Sequence, residues 1–374
     1  MKDARTPRSN GTDGRDCPDV IVIGDGIIGL SVALAVARAG GTTCIIGLPA
    51  RGAASHASAG LLAPSIGPGD AVVRGVMTTA RDRYPDFVHW LAERTGIDVP
   101  LNRDGIVEIV PSPMGGPELA AVPPPLGASP ATVVSSQQLR SLEPSLSGAR
   151  GALLHPLDGF VDNVRLLAAM REAARCEWAV DIVDGRAARV DCASAPCSVV
   201  TEDGRRHVGG AIVLAAGAWS PLVDGLPRPL HIEPVRGQML SLQGGALSRA
   251  IAAPDAYLVP RAGTTLVGST LERVGFDSTT TASSLQHLRD AAIALLPELA
   301  SALVVDSWAG LRPMTPDAVP ILGRDPAFPS LIYACGHGKN GILLAPLTGE
   351  CVAALVAGDQ PPIDLRPFAV DRFD

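Results

Sequence analysis

Short apolar runs and glycine-rich turns alternate along the chain and predict a series of strands and helices. Residues 20–23 form an apolar run, a glycine turn follows, and small helix-forming residues occupy 30–39. A second apolar run lies at 42–46. This order of strand, turn, helix and strand predicts a parallel βαβ unit near the start of the fold.

The same patterns continue through the rest of the chain. Apolar side chains at helical spacing predict helices at 70–95, 136–143, 164–176, 285–295 and 342–357. Apolar runs predict strands at 106–110, 151–154, 159–162, 178–183, 187–192, 197–201, 211–214, 234–242, 257–260, 265–269, 304–309 and 331–334. No long strand is expected in the small-residue segment 50–64, and the proline- and glycine-rich segment 111–130 predicts a surface loop.

The first glycine turn reads GDGIIG and matches the pattern G-x-G-x-x-G. Gly24 permits the tight turn, Gly26 lets the backbone approach a pyrophosphate, and Gly29 lets the helix pack close to the strand. The N-terminus of the helix then offers N–H groups and a positive dipole end to phosphates. With a strand before it and a helix after it, the motif predicts dinucleotide binding.

Composition narrows the class of protein. The 374 residues are 47% hydrophobic and 18% charged, which suits a globular α/β protein large enough for two cores. No apolar run reaches the roughly 18 residues that a membrane span needs, so no membrane partner is expected. A net charge of −7 without a basic stripe argues against a nucleic-acid partner.

Cysteines and lysines add two further expectations. The seven cysteines form neither a C-x-x-C pair nor a zinc spacing, so no metal site is expected, and they predict reduced thiols in a cytoplasm. Residues 1–16 are polar and predict a disordered leader. The only lysines are Lys2 and Lys339, so Lys339 stands out as a candidate for function.

Four later segments carry more specific signals: LAAGAWS at 214–220, DAYLVPR at 255–261, WAGLRP at 308–313 and CGHGKNGILLAP at 335–346. Together with GDGIIG they resemble the FAD-dependent D-amino-acid oxidase superfamily over residues 18–373, and within it the glycine oxidases of thiamine biosynthesis. The resemblance implies non-covalent FAD and an α/β fold with a glutathione-reductase-like FAD-binding domain. A second domain of mostly antiparallel sheet plus helices would bind the substrate.

The FAD-binding domain is expected to be discontinuous. Residues 17–80, 145–222 and 320–374 are assigned to it, and residues 81–144 and 223–319 to the substrate domain. The cleft between two such domains is the expected place for chemistry.

Site residues follow from the resemblance position by position. Arg312 corresponds to the arginine that binds the substrate carboxylate, Tyr257 to the active-site tyrosine, and Lys339 to a basic residue beside the flavin. A guanidinium suits a carboxylate because it pairs with it bidentately. The alternatives are an ordinary ion pair for Arg312, a half-buried sheet tyrosine for Tyr257 and an exposed lysine for Lys339. The expected cofactor contacts are Gly24, Gly26, Ile27, Ile28, Gly29, Gly47, Leu48, Ala54, Ser55, Ala59, Gly60, Leu61, Ala187, Gly217, His337, Gly338, Lys339, Asn340, Gly341, Ile342 and Leu343.

The implied reaction is oxidative deamination of glycine, an N-substituted glycine or another small amino acid. Hydride passes to flavin N5, the imine is hydrolysed, and O2 reoxidises the flavin to give H2O2. The alternatives are a dehydrogenase that passes electrons to a quinone or a protein, and a flavoprotein without turnover. The oligomeric state is left open.

Three positions depart from the family pattern. Gly47 stands where an acid is expected to bind the adenosine ribose, which leaves Arg51 or backbone groups to compensate. Gly338 stands where an aromatic residue is usual, and Asp255 near a usual histidine. The last two changes predict a roomier pocket for an N-substituted glycine or a larger amino acid, as in secondary metabolism.

Overall fold

A computed structural model describes residues 17–67, 70–110, 131–147, 151–177 and 179–374. The predicted leader at 1–16 and the predicted loop at 111–130 lie outside the described residues.

The predicted βαβ unit opens the fold. Strand β1 (Val20–Ile23) leads into helix α1 (Ile27–Arg38), which returns to strand β2 (Thr43–Gly47). The two strands pair in parallel, with Val20 beside Thr43. All four residues of β1 are buried, because helices or strands cover both faces of the sheet there.

The unit belongs to a sheet of six strands among the described residues. In spatial order these are Ile321–Arg324, Leu331–Cys335, Ala211–Leu214, β1, β2 and Val180–Asp184. All neighbours are parallel except the first pair. The three predicted cofactor segments at the start, middle and end of the chain therefore meet in one sheet, as the implied fold requires.

A second sheet is mostly antiparallel, as predicted, and contains eight described strands. In spatial order they are Val304–Met314, Glu233–Gln243, Thr264–Gly268, Tyr257–Arg261, Ala250–Ala252, Ile106–Ile109, Gly151–His155 and Thr132–Ser135. Among the described strands of this sheet, only Ala250–Ala252 and Ile106–Ile109 pair in parallel. Two small sheets complete the strands: Ala187–Asp191, Cys197–Thr201 and Arg206–Gly209 in one, and Leu61–Leu62, Gly159–Val161 and Leu101–Asn102 in the other.

The helices pack on these sheets. Besides α1, the described α-helices are Ala54–Ala57, Ala71–Asp82, Tyr84–Thr95, Ser136–Leu142, Asn163–Cys176, Ala282–Leu295 and Gly341–Ala357. Shorter 3₁₀ turns lie at Gly217–Leu222, Pro297–Ser301, Gly338–Asn340, Arg366–Phe368 and Val370–Phe373.

The single helix predicted at 70–95 is two helices in the structure, Ala71–Asp82 and Tyr84–Thr95, which meet at Arg83. The second helix has Pro85 in its first turn. Proline has no N–H to donate and clashes with the preceding turn, so a continuous helix is interrupted here. The apolar periodicity continued across the break, which is why the sequence pattern missed it.

Two segments lie across the predicted domain boundaries. Tyr84–Thr95 was assigned to the substrate domain, but Tyr84, Phe87 and Leu91 belong to the core formed around α1. Gly151–His155 was assigned to the cofactor domain, but it pairs within the eight-stranded sheet. Both placements depend on tertiary packing that local patterns do not report.

The last helix is the most apolar in the described chain. Residues 338–357 are long and apolar enough to cross a membrane by length and composition, yet 61% of the segment is buried inside the protein. Leu343, Leu347 and Cys351 face the core shared with α1. The helix is therefore placed as a core helix of a globular fold.

Candidate active site

The glycine turn after β1 has the geometry that its motif predicts. Gly24 has φ +114°, and a Cβ there would lie 2.4 Å from the carbonyl oxygen of Ala215. A Cβ at Gly29 would lie 1.9 Å from the carbonyl oxygen of Gly24. Both positions exclude a side chain, so the turn and α1 can pack this closely only with glycine.

The N-terminus of α1 opens into a cavity. Gly26 provides no capping side chain, and the first turn contains no acidic residue. The Ser55 hydroxyl oxygen accepts a hydrogen bond from the Ile27 N–H at 3.0 Å. Ser55 thereby supports the turn instead of acting as a nucleophile with His56, in line with the absence of a nucleophile-elbow motif around it.

A cleft of about 790 Å³ is lined by residues of both large sheets. Most predicted contacts line it: Gly24, Gly26, Ile27, Ile28, Gly47, Leu48, Ala54, Ser55, Ala59, Leu61, Ala187, Gly217, Tyr257, Arg312, His337, Gly338, Lys339, Asn340, Gly341 and Ile342. Segments more than 300 residues apart in the chain thus form one site. A cleft of this volume with two helix N-termini, those of α1 and of Gly341–Ala357, suits a phosphate-bearing ligand.

Three predicted cofactor contacts lie behind the wall of the cleft. Gly29 packs on Gly24, and a Cβ at Gly60 would lie 2.0 Å from the carbonyl oxygen of Val161. Leu343 is 1% exposed in the core around α1. These residues shape the wall through packing, because their surfaces are already covered by protein.

At one end of the cleft, Gly47 ends β2 without a side chain. The Asp25 side chain fills the space beside it, and Asp25 Oδ2 accepts a hydrogen bond from Arg171 Nη2 at 2.7 Å. Arg51, which was expected to compensate for the missing acid, is exposed and lies outside the lining residues.

At the other end, Arg312 lies flat across the eight-stranded sheet. Its Nη1 donates to the carbonyl oxygen of Thr270 at 3.1 Å and its Nη2 to Ser269 Oγ at 2.5 Å. A Cβ at Gly237 would lie 2.1 Å from Arg312 Nη1, so the guanidinium occupies the space above this glycine. Among the described residues, no carboxylate pairs with Arg312, and its charge faces the cleft.

Tyr257 lies on the same sheet as Arg312, with two strands between them, and lines the same cleft. A Cβ at Gly268 would lie 2.6 Å from the Tyr257 hydroxyl oxygen, so a second glycine makes room for this ring. The Tyr257 hydroxyl donates to Met239 Sδ at 3.2 Å. Because sulfur is a weak acceptor, the hydroxyl can exchange it for a stronger one on a ligand.

Lys339 adds a second positive charge to this end. Its side chain is exposed to the cleft and is flanked by the cleft walls. Partial burial between these walls lowers the pKa of Lys339, and the positive charges of Arg312 and Arg74 lower it further. The cluster therefore favours an anionic ligand.

His337 is a structural residue of the cleft floor. It is 3% exposed, its Nε2 lies 3.1 Å from Thr348 Oγ1, and burial lowers its pKa to about 3. The imidazole is neutral at pH 7, as expected for a residue that packs and does not ionise.

Two of the departures from the family pattern have different surroundings. Gly338 has φ +54°, and a Cβ there would lie 2.9 Å from Met314 Sδ, so methionine borders the space of the absent aromatic ring. Asp255 is exposed and outside the lining, whereas Ala252 and Ala253 line the cleft. Asp255 therefore makes no contribution to the roomier pocket that was expected from it.

Sequence reasoning missed several lining residues: Asp25, Arg171, Met239, Ser269, Thr270 and Met314. Asp25 had a visible signal, since it is a charged residue inside a glycine motif. The others had none, because cross-strand pairing and helix packing decide which side chains face the cleft.

Comparison with known proteins gives a consistent assignment. A family model described as FAD dependent oxidoreductase matches residues 19–355. The chain is 32% identical over 359 residues to the glycine oxidase of Pseudomonas aeruginosa, covering 94% of this chain and 98% of that protein. It is 33% identical over 371 residues to the bifunctional protein ThiO/ThiG of Synechocystis sp., covering 95% of this chain. The chain spans 54% of that relative, about half of its length.

A solved structure agrees with the sequence comparison. The crystal structure of glycine oxidase from Geobacillus kaustophilus has a TM-score of 0.86 and 28% identity to this chain. The match covers 94% of this chain and 98% of that one.

Proposed function

The chain belongs to the family of FAD-dependent oxidoreductases, and we propose that it oxidises glycine, an N-substituted glycine or another small amino acid at the carbon bearing the amine. The cofactor is FAD. The glycine turn, the two helix N-termini and the volume of the cleft fit a dinucleotide.

One observation carries the proposal: Arg312 presents its guanidinium to the cleft from a fixed position above Gly237. A planar guanidinium whose two terminal nitrogens are both held by hydrogen bonds can bind a carboxylate bidentately and fix its plane. Binding the carboxylate in this way orients the neighbouring amine-bearing carbon, which is a proximity effect.

When bound, FAD supplies the acceptor for the hydride of the substrate and passes its electrons on. The protein residues supply orientation and charge. Arg312 binds the carboxylate, Tyr257 donates its hydroxyl to the same group, and Lys339 adds positive charge beside the cofactor. The neutral His337 has no role as an acid or a base at pH 7, because its pKa is about 3.

Small residues in the cleft wall favour a substrate larger than glycine. Gly338 carries no ring, and Ala252 and Ala253 also line the cleft. The space supports an N-alkyl glycine, although Met314 borders part of it.

Purified yellow protein tests the proposal directly. We expect H2O2 in air with a small amino acid as substrate, and faster turnover of N-methylglycine and N-ethylglycine than of glycine. Equal or faster turnover of free glycine would refute the larger pocket. Flavin bleaching by substrate under anaerobic conditions, without H2O2 in air, would instead identify a dehydrogenase with another electron acceptor. No bleaching with any small amino acid would identify a flavoprotein without turnover.

Arg312→Ala tests the carboxylate site. We expect the variant to keep its FAD and to lose about 3–5 kcal/mol in kcat/KM, by analogy with breaking a buried ion pair. The measurement is steady-state kinetics with the flavin content of each preparation taken from its absorbance. A variant with nearly unchanged kcat/KM would remove Arg312 from the substrate site.

A further inference from the structure

The missing acid at the end of β2 has a replacement within the glycine turn. In dinucleotide-binding βαβ units, an acid at this position hydrogen-bonds the adenosine ribose. Here the position is Gly47. We propose that Asp25, the second residue of the GDGIIG turn, supplies the carboxylate that binds the adenosine ribose of FAD.

The position of Asp25 carries this inference. A Cβ built on Gly47 would lie 2.5 Å from Asp25 Cβ and 2.7 Å from Asp25 Cγ. The Asp25 side chain therefore starts where a side chain at 47 would start, and the two cannot coexist. The glycine at 47 and the aspartate at 25 form a complementary pair, in which the carboxylate reaches the same end of the cleft from the neighbouring loop.

Arg171 fixes this carboxylate. Arg171 Nη2 donates to Asp25 Oδ2 at 2.7 Å and to the Asp25 carbonyl oxygen at 3.3 Å. The arginine projects from the helix Asn163–Cys176 and also lines the cleft. An aspartate beside a pyrophosphate site would repel the phosphates, and the positive charge of Arg171 offsets that repulsion.

Asp25 retains the capacity to bind a ligand. Its side chain is 17% exposed and lines the cleft together with Gly47 and Leu48. Only one carboxylate oxygen has a side-chain partner among the described residues, which leaves acceptor capacity for ribose hydroxyls. Glu202 is another carboxylate in this part of the wall, on the turn after Cys197–Thr201, and its exposed position makes it the matched control.

The inference rests on FAD binding and not on the proposed oxidation of amino acids, so binding to the apoprotein tests it. Quenching of flavin fluorescence would give the Kd of FAD and of its 2′,3′-dideoxyadenosine analogue. We expect wild type to prefer FAD by about 10- to 100-fold, the range of one charge-assisted hydrogen bond. Asp25→Ala should abolish most of this preference and leave the affinity for the analogue within about threefold.

Three further variants make the test decisive. Glu202→Gln should keep the preference of wild type. Gly47→Glu alone should weaken both ligands, because its side chain collides with Asp25. Asp25→Gly with Gly47→Glu moves the acid back to β2 and should restore the preference. An equal loss for both ligands in Asp25→Ala, or loss of the preference in Glu202→Gln, would overturn the proposal. Thermal unfolding of each apoprotein checks that it is folded, and the double variant still tests the proposal if Asp25→Ala does not fold.

Discussion

At the scale of single residues, the site depends on glycines that make room for larger side chains. The Arg312 guanidinium occupies the space above Gly237, and the Tyr257 hydroxyl occupies the space above Gly268. The same relation holds between Gly47 and Asp25. Each of these larger side chains keeps its position because the neighbouring residue is a glycine with no side chain. Replacing that glycine with alanine adds one methyl group and so displaces the neighbour specifically.

Gly237→Ala should behave like a loss of Arg312. Its Cβ would lie 2.1 Å from Arg312 Nη1, so the guanidinium must leave its place. We expect kcat/KM to fall at least about tenfold with FAD retained, and the Gly237→Ala, Arg312→Ala double variant to be no worse than Arg312→Ala alone. Additive losses in steady-state kinetics would show that Gly237 acts independently of Arg312.

His337 should make the free energy of unfolding depend on pH. Burial lowers its pKa from 6.5 to about 3, so the unfolded chain binds a proton that the folded state excludes between those values. Its contribution to stability is therefore complete above pH 6.5 and falls as the pH decreases, by up to about 1.4 kcal/mol per pH unit.

Urea unfolding at pH 7 and pH 5 of wild type and His337→Gln measures this contribution. The glutamine keeps a polar group for Thr348 but does not titrate. Wild type should lose about 2 kcal/mol more than the variant between the two pH values. Equal losses would mean that His337 is protonated in the folded state.

At the scale of elements, two long strands and one helix place the chemistry. Glu233–Gln243 and Val304–Met314 pair antiparallel over eleven residues each, which brings Gly237 opposite Gly310 and next to Arg312. The motif WAGLRP thus lies in the interior of a strand. On the cofactor side, α1 holds its N-terminus against the turn because Gly29 packs on Gly24.

Gly29→Ala should disrupt this helix–turn contact. The new Cβ would lie 1.9 Å from the Gly24 carbonyl oxygen, and overpacking of this kind costs about 1–3 kcal/mol. We expect a lower Tm and a higher Kd for FAD. Gly75→Ala is the matched control, because nothing lies within 4 Å of its Cβ in the helix Ala71–Asp82. It should be neutral or stabilising by up to about 1 kcal/mol. The prediction is wrong if both variants bind FAD like wild type.

At the scale of the whole molecule, the side chain of Arg261 joins the eight-stranded sheet to the cofactor segments. Arg261 on the strand Tyr257–Arg261 donates to the carbonyl oxygens of Ala59 and Val161 at 2.7 and 3.0 Å. It also donates to Asn163 Oδ1 at 3.2 Å, and Asn163 in turn donates to the Ser55 carbonyl oxygen at 3.0 Å. This chain of contacts joins the substrate side to the loop beside α1.

Arg261→Met should weaken that junction. It leaves two carbonyl oxygens without this donor, so we expect a loss of about 2–5 kcal/mol in the free energy of unfolding. Arg366→Met is the control, since that arginine is 91% exposed and an exposed ion pair such as the one with Asp364 contributes little to stability. Chemical denaturation of both variants checks the difference, and similar losses would show that the junction carries no special weight.

The sequence by itself determined the βαβ unit, the mixed α/β class with a second antiparallel sheet, and the cofactor. These features depend on local patterns: the apolar run at 20–23, the glycines of GDGIIG, and motifs such as WAGLRP that carry the resemblance to the family. Sequence patterns failed near Pro85, where the apolar periodicity continues across a break between two helices. They also failed at strands too short to show a period, such as Ala250–Ala252. The core that Tyr84–Thr95 joins could not be predicted for a similar reason, since an amphipathic helix does not specify its partner.

Only the tertiary structure decided which side chains share a space. In the sequence, Gly47 indicates a lost ribose contact and Asp25 is a charged residue within a glycine turn. The structure places these two residues against each other, and Arg171 from a distant helix binds the Asp25 carboxylate. Gly237 and Arg312 are likewise 75 positions apart in the chain and adjacent across two strands. Close packing sets these pairings, and it acts between atoms that the order of residues does not bring together.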